Sequence, residues 1–297
     1  MGCAVFCGVN RYNRAYIVSM ESIAYYNGNI GRPEELSIPF NDRVHFFGDG
    51  VYDATYTINF KPLTLNRHIG RFFNSAGLIG LNLPISQQEL RDIILNLLSQ
   101  ADNPECLVYW QATRGTDIRN HSFPHDMRAN IWVLIKPAPL FDINEKFKTI
   151  TVEDKRFKLC NVKTLNLLPN ILAYREAEDK GAGEAIFVRE GRVTECSHSN
   201  VSMIKGGCFF TPPADNLILA GVTRQIAIEA CHNLSIPVKE EPFSLSDLMD
   251  SDEPIITSAG KLFIGISHIN GTPVGGKDES LLKKIQAEVG RIVRSEE

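Results

Sequence analysis

Apolar positions in this chain recur with two different periods, and each change of period marks a change of predicted element. Residues 51–58 read as a strand and 63–65 as another short one. After Asn66, the apolar residues Ile69, Phe72, Phe73, Ala76 and Ile79 fall at helical spacing. Ser86-Gln-Gln-Glu89 is a capping box, in which each side chain satisfies a free backbone N–H of the other's residue, so a second helix is predicted to carry Ile93, Ile94, Leu97 and Leu98. Strands are predicted over 107–113 and 130–136; the latter is almost wholly apolar and so is expected at the centre of a sheet.

Lys136-Pro-Ala-Pro-Leu140 interrupts both periods, because proline lacks a ladder donor and biases the preceding residue toward extended geometry. A domain boundary is placed there, giving an N-terminal extension (1–22), a small α+β domain (23–137) and a larger C-terminal domain (138–297). In the second unit strands are predicted over 149–153, 185–189, 192–195, 200–205, 208–211 and 255–258. Helices are predicted over 168–180, closed by Gly181, and over 222–233 and 281–293. Asn27-Gly28 and Asn270-Gly271 are hairpin turn signals, since both residues tolerate positive φ, and Gly206-Gly207 is a further turn.

Composition narrows the functional classes. Charged residues make up 22% of the 297 residues, hydrophobic ones 43%, and the formal net charge is -4, with lysine and arginine scattered rather than clustered. Such a surface has no basic field for nucleic acid, which leaves small-molecule chemistry as the better expectation. Seven widely spaced cysteines without a Cys-x-x-Cys pair fit reduced thiols in a cytosol better than a disulfide framework or a zinc site, so no metal is expected. The apolar start is too short for a membrane span and lacks the charged flank of a secretory signal. Gly2 invites a myristoylation reading, but Phe6 stands where that pattern wants Ser or Thr. A soluble, cytoplasmic protein is expected.

The chemistry-bearing stretches are Lys163-Thr-Leu-Asn-Leu-Leu, Val193-Thr-Glu-Cys-Ser-His-Ser-Asn200 and Ile218-Leu-Ala-Gly-Val-Thr-Arg224. Upstream stand Phe47-Gly-Asp-Gly-Val-Tyr52, Asn66-Arg-His-Ile-Gly-Arg71 and Thr113-Arg-Gly-Thr-Asp-Ile-Arg-Asn-His121. In this order they resemble the class IV pyridoxal-phosphate aminotransferases, from about residue 25 to about residue 260. The resemblance implies a two-domain fold of type IV, α+β and α/β in character, with pyridoxal 5'-phosphate as cofactor and a homodimer as the working unit.

It also implies roles, residue by residue. Lys163 matches the Schiff-base lysine, whose amine can also shuttle a proton. Glu195 matches the glutamate facing the pyridine nitrogen, where a carboxylate favours the protonated ring. Arg71, with the turn Gly221-Val222-Thr223, matches the phosphate site, and Leu219 the leucine beneath the ring. Arg156 and Glu184 fall at supporting positions behind these. Arg119 and His121 resemble the carboxylate trap of D-amino-acid aminotransferases, lent by one subunit to the other's site, with Tyr52 and Tyr109 nearby. The expected activity is therefore transfer of an amino group from a D-amino acid such as D-alanine to a 2-oxo acid such as 2-oxoglutarate.

Three departures bear on that expectation, one being that Leu262-Phe-Ile-Gly-Ile266 stands in place of the family's late Thr-Pro-Val pattern. In Thr257-Ser-Ala-Gly-Lys261, Ser258 stays at the cofactor but Ala259 replaces a phosphate-contacting threonine, and His198 stands where relatives carry a small residue. A branched-chain L-amino-acid aminotransferase and an aminodeoxychorismate lyase are the alternative readings; the first would make the Arg-x-His segment unimportant, and the second would need no oxo-acid acceptor.

Overall fold

The computed structural model describes residues 22–296, so the extension assigned to 1–22 lies almost wholly outside the described residues. Most helices and strands form where the periodicity predicts them. The first half builds β1 (Ile23–Tyr26), β2 (Asn29–Gly31), α1 (Val44–Phe47), β3 (Gly50–Ile58), β4 (Lys61–Pro62), α2 (Leu65–Leu78), α3 (Gln87–Leu98), β5 (Cys106–Thr113) and β6 (Asn130–Pro137). These strands form one six-stranded sheet in the order β2-β1-β6-β5-β3-β4. The apolar strand β6 is interior to it, between β1 and β5.

Helices α2 and α3 lie against this sheet, burying Ile69, Phe72, Leu90, Ile94 and Leu97 with Val108, Trp110 and Val133. The Ser86 hydroxyl accepts from the Glu89 N–H at 3.2 Å, while Glu89 accepts from the Ser86 N–H at 2.7 Å, which closes the expected capping box. At 63–65 the expected strand is absent: Thr64 takes a left-handed φ of 48° and Leu65 already opens α2. A strand cannot pass through that backbone conformation.

The second half builds β7 (Phe147–Glu153), α4 (Leu168–Asp179), β8 (Glu184–Arg189), β9 (Arg192–Cys196), β10 (Asn200–Lys205), β11 (Cys208–Thr211) and α5 (Val222–Asn233). It continues with β12 (Val238–Glu240), α6 (Leu245–Asp250), β13 (Glu253–Ser258), β14 (Leu262–Ile269), β15 (Thr272–Pro273) and α7 (Glu279–Ser295). Its sheet runs β12-β11-β10-β13-β14-β7-β8-β9, with β15 folded onto β14. The pairs β7–β8 and β14–β7 are parallel, and α4 is the crossover between β7 and β8. Both Asn-Gly turns close hairpins, Asn27 and Gly28 at φ 47° and 99°, Asn270 and Gly271 at 51° and 79°. The strand β14 was not among the expected elements. Its Phe263-Ile-Gly-Ile266 run is buried on both faces, and such a run carries no period-two signature.

One segment ties the halves together. Residues 161–167 leave the second sheet and cross onto the first, where Thr164 bridges Val51 and Leu165 donates to the Gly50 carbonyl at 3.1 Å. Gly50 permits the crossing: a Cβ there would lie 2.4 Å from the Ala112 carbonyl oxygen and 2.7 Å from the Leu165 side chain.

Candidate active site

Lys163 sits on that crossing segment, and its backbone is held from both sides. Its N–H donates to Ser75 Oγ at 3.1 Å, and its carbonyl accepts from the Tyr52 N–H at 2.9 Å. The side chain enters a cavity of about 260 Å³, with the amine 4.4 Å from the centre of the Tyr52 ring. Among the described residues the amine has no hydrogen-bond partner, so it stands free in the cavity.

The second sheet supplies the facing wall. Glu195, near the end of β9, is buried, and its carboxylate is fixed by the Arg156 guanidinium, the Asn200 amide at 3.0 Å and the Leu219 N–H at 3.1 Å. Burial pushes this carboxyl up, against the pull of Arg156. Arg156 is itself clamped by Asp154 through two 2.9 Å bonds and rests 4.4 Å from the Phe187 ring. Burial alone would raise Asp154 as well, but Arg156 and Arg189 hold it down to about 2.

The first sheet contributes a second cluster. Arg71 on α2 gives both Nε and Nη2 to Asp53 on β3, at 2.8 and 2.7 Å, and His68 Nδ1 lies 2.9 Å from the same carboxylate. Burial opposes ionisation of Asp53, yet Arg71 and His68 keep it well below the usual carboxylate range. Arg71 is also among the residues that line the cavity.

Between these walls lies the N-terminus of α5. Gly221 caps it without any side-chain hydrogen bond, which leaves first-turn N–H groups available to an anion. Glycine is required here, because a Cβ would fall 1.9 Å from Asn200 Oδ1. Thr257 Oγ1 is buried at the cavity wall without a hydrogen-bond partner, a polar atom that a bound ligand can satisfy. Among the described residues no group of three or more His, Cys, Asp or Glu could hold a metal ion.

The cavity thus gathers Lys163, Arg71, Glu195, Leu219, Val222, Thr223, Ser258, Ala259, Tyr52 and Arg156 from both halves of the chain. Other expected residues lie elsewhere. Tyr109 does not line the cavity but stacks on Tyr52 with ring centres 5.5 Å apart. Glu184 lies behind the wall, receiving Lys261 Nζ at 3.0 Å and the hydroxyls of Ser197 and Ser199. Arg119 and His121 are exposed and outside this cavity, both against the ring of Phe47. Residues that sequence reasoning passed over include Asp53, His68, Asn200 and Lys261. Lys261, only 2% exposed, also lies 2.9 Å from His198 Nε2. Nothing in its Gly-Lys-Leu context signals a buried ammonium.

Comparison with known proteins shows the family. The model of the family described as amino-transferase class IV matches residues 50–269, a span that includes every cavity-lining residue named above. A D-alanine aminotransferase of Listeria monocytogenes is 42% identical over 254 residues, 84% of this chain and 88% of its own. One from Staphylococcus aureus is 36% identical over 280 residues, 93% of this chain and 99% of its own. In fold, the chain is similar to the branched-chain amino acid aminotransferase of Escherichia coli, at a TM-score of 0.84 and 19% identity over 92% of this chain and 95% of that one. With a free lysine amine, a buried glutamate and an open helix N-terminus converging on one cavity, and with the family match across most of its length, the chain belongs to the class IV aminotransferases, a family of pyridoxal-phosphate-dependent transaminases.

Proposed function

We propose that this protein is a D-amino-acid aminotransferase that moves the amino group of D-alanine or a similar D-amino acid to a 2-oxo acid such as 2-oxoglutarate. The reading is carried by the extent of the likeness to proteins named D-alanine aminotransferase, combined with an Arg119-x-His121 pair gathered on one aromatic ring. It includes a cytoplasmic homodimer, with Arg119 and His121 of one subunit serving the other's cavity, and a division into units of 23–137 and 138–297. Placement of the pair outside its own chain's cavity supports the exchange between subunits.

The residues present fit pyridoxal phosphate. The start of α5, which no side chain caps, the unpaired Thr257 hydroxyl, Ser258 and Arg71 offer donors to a phosphate, while the Ala259 side chain offers none. Loss of one such hydroxyl costs about 1 kcal/mol, which this donor set can absorb. Glu195 is positioned to accept from a pyridine N–H, and Arg156 with Asn200 keeps its carboxylate oriented. Leu219 offers an apolar surface beneath a planar ring.

When bound, the cofactor supplies an aldehyde that exchanges amines and a conjugated ring that stabilises negative charge at the substrate α-carbon. Lys163 Nζ would be the group that holds the cofactor and, as a general base, takes and gives back the substrate α-proton. Tyr52 restricts the amine to one region of the cavity through contact with its ring. Glu195 would set a carboxylate against the pyridine nitrogen and so favour its protonated, electron-withdrawing form. Arg119 and His121 grip the substrate carboxylate, and their side of approach selects the D-configuration.

Absorbance of the purified holoenzyme tests this directly. Addition of D-alanine or D-glutamate without acceptor is expected to convert the aldehyde form to the amine form, with L-leucine and L-glutamate inert. Conversion by the L-amino acids alone would assign the branched-chain activity instead, and none by any of the four would direct assay to the lyase.

A further inference from the structure

The expected carboxylate pair lies on an irregular, exposed segment, where two side chains would ordinarily sample many rotamers. Here they share one support. The Arg119 guanidinium carbon is 5.3 Å from the centre of the Phe47 ring, and the His121 ring centre is also 5.3 Å from it. Phe47 ends α1, is half-buried, and is followed by Gly48 in a left-handed turn at φ 59°.

A buried arginine joins the support to the segment. Arg43, 3% exposed, lies 4.7 Å from the Phe47 ring centre and gives Nε to Asp49 at 3.0 Å. Its Nη1 donates at 2.6 Å to the carbonyl of Asn120, the residue between Arg119 and His121. Asp49 is also bound by Arg114, whose guanidinium covers Phe123 at 4.2 Å, further along the same segment. One guanidinium fork therefore fixes both the ring and the peptide carrying the pair. Lysine has no such fork.

We propose that Phe47 and Arg43 are positioning residues for substrate-carboxylate recognition. The Phe47 ring serves as a platform that holds Arg119 and His121 together, and Arg43 locks the peptide between them onto it. The inference rests on the reading of Arg119 and His121 as carboxylate-binding groups. Neither Phe47 nor Arg43 touches Lys163 or lines its cavity, so their effect belongs to substrate binding and not to the chemical step.

The test uses the holoenzyme and steady-state kinetics with D-alanine at saturating 2-oxoglutarate. Phe47→Leu and Arg43→Lys are each expected to raise KM about tenfold, as loss of a cation–π contact or of a fixed peptide would, while kcat and the cofactor absorbance remain those of the parent. Phe47→Tyr, which keeps the ring, is expected to restore the parental KM. In an Arg119→Ala background, Phe47→Leu should add little, because the group it positions is gone. Should Arg119→Ala raise KM while Phe47→Leu and Arg43→Lys do not, or should the effects of Phe47→Leu and Arg119→Ala add in full, the platform is overturned and the carboxylate reading stands. An Arg119→Ala enzyme with parental KM would instead sink the carboxylate reading itself. If Phe47→Leu does not fold, the Arg43→Lys kinetics decide alone.

Discussion

Two groups of arginines in this molecule are held in opposite ways. Around the cavity, Arg71 and Arg156 are each gripped through two nitrogens by a buried aspartate, Asp53 and Asp154, and each is among the residues that line it. On the 115–123 segment, Arg119 is exposed and meets an aromatic ring. Buried charge must be neutralised, and neutralisation by a two-point bond also fixes direction, so the cavity arginines are oriented by the same contacts that permit their burial. An exposed arginine carries no such requirement. Its direction must come from packing, here from Phe47 and Arg43.

Lys163 stands outside both patterns, with a fixed backbone and a free amine. Under the proposed function its replacement by alanine is expected to lower turnover by about 10⁴-fold or more, since one group would be both nucleophile and proton carrier. Far-ultraviolet circular dichroism should remain that of the parent. A fully active variant would remove the assignment.

The contrast between the two kinds of arginine is sharpened by stability. Arg156→Ala leaves Glu195 buried without its cation and Asp154 with Arg189 alone, and is expected to cost about 3 kcal/mol in denaturant unfolding. Arg119→Ala is expected to stay within about 0.5 kcal/mol of the parent. Equal losses would mean that the exposed segment is structural.

The smallest effect is in acid. Asp154, held down to about 2, contributes stability that is complete above its unfolded value of about 4 and is lost as pH falls through 2. Asp154→Asn is therefore expected to flatten the fall in stability between those values by up to about 1.4 kcal/mol per pH unit. An unchanged slope in a titration of unfolding free energy would show that Asp154 is not ionised against Arg156.

Much of the molecule was legible from residue order alone. The helical period from Ile69 to Ile79, the Ser86–Glu89 box and both Asn-Gly turns are local signals, and the structure carries each where it was expected. Local signals misled at 63–65, where three strand-compatible residues conceal the left-handed Thr64, and gave no warning of β14, a run buried on both faces. Motifs pointed to Lys163 and Glu195, which the structure brings to one cavity, but nothing near Asp53 or Lys261 in the chain marked them as buried charges.

What the amino-acid sequence determined by itself was most of the elements and the family, because periodicity, caps and motif order act over short stretches. Only the tertiary structure decided which charges meet. Asp53 reaches Arg71 across 18 residues and Arg156 reaches Glu195 across 39, while Lys163 enters its cavity because 161–167 crosses from one sheet onto the other. Those partnerships depend on sheet order and close backbone approach, which no local pattern encodes.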